Sequence, residues 1–123
     1  MSQSDTPTQL LIESHKTDQM MVKSRDGEKV GFVYSFMIDK RRGYALYVVL
    51  TIGGFLGMGK AYYPLPFQLL SYDAANDSYQ ITIDRRVLEG GPSWANNEPI
   101  FDQAYADRVA SYYDVAREDL SLG

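Results

Sequence analysis

Residues 54–60 read Gly-Phe-Leu-Gly-Met-Gly-Lys. They fit the first seven positions of the phosphate-cradling loop G-x-x-x-x-G-K, in which backbone N–H groups and the lysine hold a nucleotide's phosphates. The eighth position of that loop is Ser or Thr, which binds magnesium, and here it is Ala61. A helix should start there, with its N-terminus facing the phosphates. Instead Tyr62-Tyr63-Pro64-Leu65-Pro66 follows, and two prolines in five residues read as extended chain. The expectation is that no nucleotide binds here. Gly53, Gly54, Gly57 and Gly59, with Pro64 and Pro66, instead form a structural motif, a tight crossing or bulge between strands.

Other reactive side chains give no constellation. His15 is the only histidine, in a polar stretch, and one histidine builds neither a metal site nor a triad without flanking partners. Carboxylates at Glu13, Asp18, Asp26, Glu28, Asp39, Asp73, Asp77, Asp84 and Glu89 are scattered through turns, where aspartate serves local backbone bonding. Lys40-Arg41-Arg42 and Arg85-Arg86 are basic spots, each beside an aspartate, and read as solvated turn charge. Cysteine is absent, which excludes disulfides, thiol nucleophiles and thiolate-bound zinc. The expectation is no catalytic residue, no metal and no cofactor.

The elements that must position these residues are mostly strands. The 123 residues suit one domain, 45% hydrophobic and 23% charged, with a net charge of −4. An acidic balance does not draw nucleic acid or anionic lipid by long-range field. The polar start and the absence of a long apolar run predict a cytoplasmic chain that does not enter a membrane. Residues 1–8 are expected to be a disordered tail. Residues 20–24 and 29–39 alternate as strands around Asp26-Gly27, a hairpin signal. Residues 29–39 and 44–52 are apolar on both faces, so both faces are expected to be covered. Residues 69–72 and 79–83 make a second hairpin, and residues 84–91 one helical turn stopped by Gly-Gly-Pro. From Phe101 to Val115 apolar residues recur at helical spacing, with Asp102 as N-cap. That helix is expected to dock through Phe101, Tyr105, Val109 and Tyr112, and residues 117–123 to fray.

Residues 11–94 resemble the PRC-barrel family. The matching stretches are LIESHK, DGEKVGFVYSFMIDKRRGYALYVVL, GGFLGMGKAYYPLPFQLLSYD and YQITIDRRVLEGGPSW. Asp39-Lys40, Gly43, the glycines from Gly53 to Gly57, and Pro64 to Phe67 occupy the family's motif positions, as in stand-alone bacterial members. ADRVASYYDV is similar to a C-terminal helix that some members carry. The resemblance implies a small β-barrel with no shared catalytic residues. Such barrels occur in the cytoplasmic part of the photosynthetic reaction centre H subunit, and in a ribosome-maturation factor that binds a ribosomal protein. The H subunit's transmembrane helix and the factor's extra N-terminal domain have no counterpart here, and Phe67 stands where many members have Trp.

The expected fold is mainly β: a small antiparallel PRC-type β-barrel over residues 9–94, with a C-terminal α-helix and tail over 95–123 packed on it. The expected role is a non-enzymatic interaction or assembly module, partner unknown, acting as a homodimer. Phe55-Leu56-Gly57-Met58 is too apolar for a free loop tip and must pack, either back on its own barrel or against a second subunit. Strands apolar on both faces favour the second, so Phe55, Leu56 and Met58, with Tyr62 and Tyr63, are the candidate interface. One alternative is a small-ligand binder or enzyme using a cleft between barrel and helix. Another is a ribosome- or RNA-associated factor, which would need a basic stripe joining Lys40–Arg42 to Arg85-Arg86.

Overall fold

The computed structural model describes residues 9–53 and 59–122. Six strands follow in order: β1 (Met21–Lys23), β2 (Lys29–Ile38), β3 (Ala45–Ile52), β4 (Ala61–Pro66), β5 (Leu70–Asp73) and β6 (Ser78–Ile81). Two helices follow, α1 (Arg85–Glu89) and α2 (Gln103–Tyr113). Short 3-10 turns cover Ser14–Gln19, Phe67–Leu69 and Arg117–Leu120.

The strands form one sheet in the order β4-β3-β2-β1-β6-β5. All neighbours are antiparallel except β1 and β6, which run parallel. The closed antiparallel barrel expected from the sequence is thus an open, mixed, curled half-barrel. The cause is topological. Each hairpin pairs with its own neighbour, and three-residue β1 then joins the β2-β3-β4 meander to the β5-β6 hairpin, leaving β4 and β5 at the two ends. Periodicity reports which stretches are extended but not which non-adjacent strands meet.

The turn signals act locally as their chemistry requires. Ser24 N donates to Glu28 O at 2.8 Å, closing the turn around Asp26-Gly27. Between β2 and β3, Gly43 takes φ +80°, and its N–H donates to Asp39 O at 2.7 Å. Asp102 caps α2 by accepting from Tyr105 N at 2.9 Å.

β3 is the most buried strand, with Leu46 to Leu50 all inside. Leu65 lies opposite Val48 on one face, while Pro64 and Pro66 lie opposite Val49 and Tyr47 on the other. Helix α2 presents Tyr105, Val109 and Tyr113, spaced i, i+4, i+8, to the same core as the strands. Tyr113 takes the place expected for Tyr112, which is 42% exposed and donates its hydroxyl to Val87 O at 2.7 Å. The fraying expected after Arg117 does not occur at Leu120, which is fully buried. Arg42 Nη2 donates to Ser121 O at 2.9 Å and pins the tail to the β2–β3 turn.

Candidate interaction surface

Strand β2 does not alternate evenly. Val33 pairs with Leu50 but Ser35 with Val49, so Tyr34 is an extra residue in a β-bulge. The bulge shifts the phase of the strand. Phe36 joins Val33's face and packs on the core, while Phe32 and Tyr34 stay 40% and 48% exposed. The cover expected on both faces of this strand is therefore missing at Phe32, Tyr34 and Ile38.

Tyr34 meets Tyr62 of β4, ring centroids 4.7 Å apart. Tyr62 stacks on Trp94 at 5.7 Å, Trp94 meets Phe101 edge-on at 5.9 Å, and Phe101 meets Tyr47 at 5.0 Å. An aromatic row thus runs from exposed Tyr34, through half-buried Tyr62 and Trp94, into the core. Trp94 is held by two backbone bonds to Tyr62: Tyr62 N donates to Trp94 O at 2.8 Å, and Trp94 N donates back at 3.0 Å. Tyr62's N–H therefore points away from β3. Pro64 and Pro66 fall in the same phase of the strand, so their missing donors cost the β3–β4 ladder nothing.

Beside Tyr34 a groove of about 660 Å³ opens. Phe32, Tyr34 and Ile52 give it apolar walls, and Lys29, Lys60 and Arg85 bring cations. Asp18 is the one carboxylate among its described lining residues. Lys29 lies over the Phe32 ring at 5.5 Å. Gly31 lines the same groove and allows β2 to approach β3: a Cβ there would stand 2.1 Å from Thr51 O.

The candidate interface residues are divided. Tyr62 joins the aromatic row, while its neighbour Tyr63 turns to the opposite face, beside Leu50, and packs on the core. Phe55, Leu56 and Met58, with Gly54 and Gly57, lie outside the described residues. At Gly53 and Gly59 an added Cβ would meet no atom of the described residues within 4 Å, while Gly31 makes a close approach of its own. After Lys60 the chain enters strand β4 at Ala61, so the helix a phosphate loop requires is replaced by extended backbone. The sequence reading missed Phe32, Tyr34 and Trp94, because neither the bulge nor the Trp94 bridge leaves a periodic trace.

The basic turn is internally spent. Asp39 is buried and accepts from Arg41 N at 2.8 Å and Arg42 Nε at 2.7 Å. Arg41 Nη2 adds an ion pair at 3.2 Å. Hydrogen bonds from Arg41 and Arg42 hold the Asp39 carboxyl far below the usual carboxylate range, against the opposing effect of burial. Arg85 pairs with Glu89 at 3.1 Å, and Arg25 with Asp84 at 2.9 Å. The two basic spots stand near opposite ends of ten-residue β2, roughly 30 Å of strand. His15 is exposed beside Glu13 at 3.5 Å. Among the described residues, no three His, Cys, Asp or Glu are grouped to hold a metal, and no helix is long and apolar enough to cross a membrane. Burial pushes the Tyr47 hydroxyl up to about 12.

No curated protein matches the chain. A family model described as PRC-barrel domain matches residues 12–88. That stretch is more than half of the chain and holds all six strands and the aromatic row's exposed end. With this match and the half-barrel sheet it covers, the chain belongs to the PRC-barrel domain family.

Proposed function

We propose that this chain is a non-catalytic interaction module that docks a protein partner on the outer aromatic face of β2 and β4. One observation carries the reading: Phe32 and Tyr34 are large aromatic side chains left outside on β2, continuous with the Tyr62–Trp94 stack. Aromatic anchors that are already held in place lose little freedom when a partner covers them. The non-catalytic part is supported by Asp39. It is the carboxylate driven furthest from its ordinary range, and its partners are two arginines and backbone N–H groups of its own turn. This is a structural staple, not a group left open to a substrate.

The test is differential capture. Wild type and the double variant Phe32→Ser/Tyr34→Ser are cross-linked in native extract, after circular dichroism has shown the same fold. Proteins held by wild type and lost by the variant are expected. Equal capture by both would remove the outer face as the docking surface.

A further inference from the structure

Among the described residues, three cations and one carboxylate line the groove beside Tyr34, on a chain whose net charge is −4. The local field there is opposite in sign to that of the molecule as a whole. Among the described residues, neither Lys29 nor Lys60 has an ion-pair partner. Lys29 rests over the Phe32 ring, and both lysines are exposed at the groove. Cations placed around an apolar depression favour a ligand with the converse pattern, apolar side chains that enter and anions that flank them.

We propose that the groove lined by Phe32, Tyr34, Lys29 and Lys60 selects an acidic protein segment, carboxylates bracketing one or two apolar anchors. The inference rests on the docking reading above and adds the partner's chemistry. Charge complementarity argues for this occupant over the others. A second copy in a twofold contact through this groove would bring Lys29, Lys60 and Arg85 towards their own duplicates, and like charges brought together are penalised. A nucleic acid needs cations along a continuous backbone track. Here the other basic cluster is near the far end of β2, with Arg41 and Arg42 bound to Asp39.

The full chain is titrated against fluorescein-labelled octapeptides by fluorescence anisotropy. One peptide alternates glutamate with leucine and phenylalanine. A second has lysine for glutamate, and a third has serine for the apolar residues. An oligouridylate of equal length is the fourth probe. The first peptide is expected to bind best. Its affinity should fall severalfold as salt rises from roughly 0.05 to 0.3 M. Lys29→Ala/Lys60→Ala should weaken it about fivefold, two exposed charge contacts together. Tyr34→Ser should weaken it about tenfold. Lys29 and Lys60 are exposed, so the urea midpoint of their double variant should match wild type. Tyr34→Ser gives up its Tyr62 contact and should unfold at a slightly lower midpoint, with the same circular dichroism before unfolding.

Equal binding of the lysine peptide, with both lost in Tyr34→Ser, would overturn the acidic selectivity and leave the docking face standing. A preference for oligouridylate would overturn it in favour of nucleic acid. A stable dimer of twice 13.9 kDa by light scattering, broken by Tyr34→Asp, would give the groove to a second copy instead. Failure of every probe, together with equal capture by wild type and Phe32→Ser/Tyr34→Ser, would overturn both readings.

Discussion

Replacing Gly31 with alanine tests whether β2 and β3 really approach as closely as described. The added Cβ would stand 2.1 Å from Thr51 O and 3.1 Å from its carbonyl carbon. Carbon and a carbonyl oxygen ordinarily meet at about 3.3 Å, so the overlap exceeds 1 Å. The obstacle is backbone in the middle of a sheet, not the end of a side chain that can swing away. Relief requires β3 to withdraw around Thr51, which faces Phe32 in the ladder. Overpacking of this kind costs about 1–3 kcal/mol. Losing two ladder hydrogen bonds adds about 1 kcal/mol each. The expected loss is about 3–5 kcal/mol, a large part of the 5–15 kcal/mol typical of a domain. In urea, with a slope of about 2 kcal/mol per M, the midpoint should fall by about 1.5–2.5 M. The emission of Trp94, the only tryptophan, follows the transition. Gly59→Ala is the matched control, since an added Cβ there meets nothing among the described residues within 4 Å, and it should stay within about 0.5 kcal/mol. A Gly31→Ala midpoint equal to that of Gly59→Ala would refute the close approach.

Val109→Ala removes two methyl groups from a fully buried site on α2 and should cost about 2 kcal/mol by urea unfolding; a neutral result would mean α2 is loosely held. Asp39 has a depressed carboxyl, so its stabilisation is complete above its unfolded value of about 4 and fades as the pH falls below that. Acid titration of wild type should show this loss, and Asp39→Asn should lack that component. Tyr47 works in the opposite direction: its phenol is raised to about 12, so its stabilisation is complete below about 10 and is lost as the pH rises towards 12. Burial raises the Tyr113 phenol further still, so Tyr47→Phe should lessen the alkaline limb without abolishing it, and phenolate absorbance should show one late-titrating tyrosine fewer in that variant. Calorimetric titration with ATP or GTP and magnesium should release no heat of specific binding; sub-millimolar binding lost in Lys60→Ala would restore the phosphate-loop reading.

Local features were legible in the residues because their causes are local. Asp26-Gly27 and Gly43 close the hairpins they sit in, and Asp102 caps the helix it precedes. The apolar residues at 105 and 109 face the core because helical spacing places them on one side. Tyr113 was displaced to Tyr112 in that reading, since adjacent tyrosines offer the pattern no preference. The parallel contact of β1 with β6 and the opening of the barrel depend on residues more than fifty positions apart, and no short-range pattern reports them. The exposed face was hidden for a different reason. Strict alternation in β2 assigns Phe32, Tyr34 and Phe36 to one side, and a single inserted residue reverses that assignment midway.

The prolines of β4 limit how these chains can aggregate. A fibre built by pairing strands requires each copy to offer two receptive edges, one to accept and one to extend. At β4 the outward donors of positions 64 and 66 do not exist, and the bond-forming groups of Tyr62 are already taken by Trp94. Among the described strands, that leaves the β5 end of the sheet to add a strand. Two molecules joined through β5 would each present a blocked β4 to the solvent, and growth would end at the pair. An apolar, tyrosine-rich sheet is thereby restrained from polymerising by two residues at its edge.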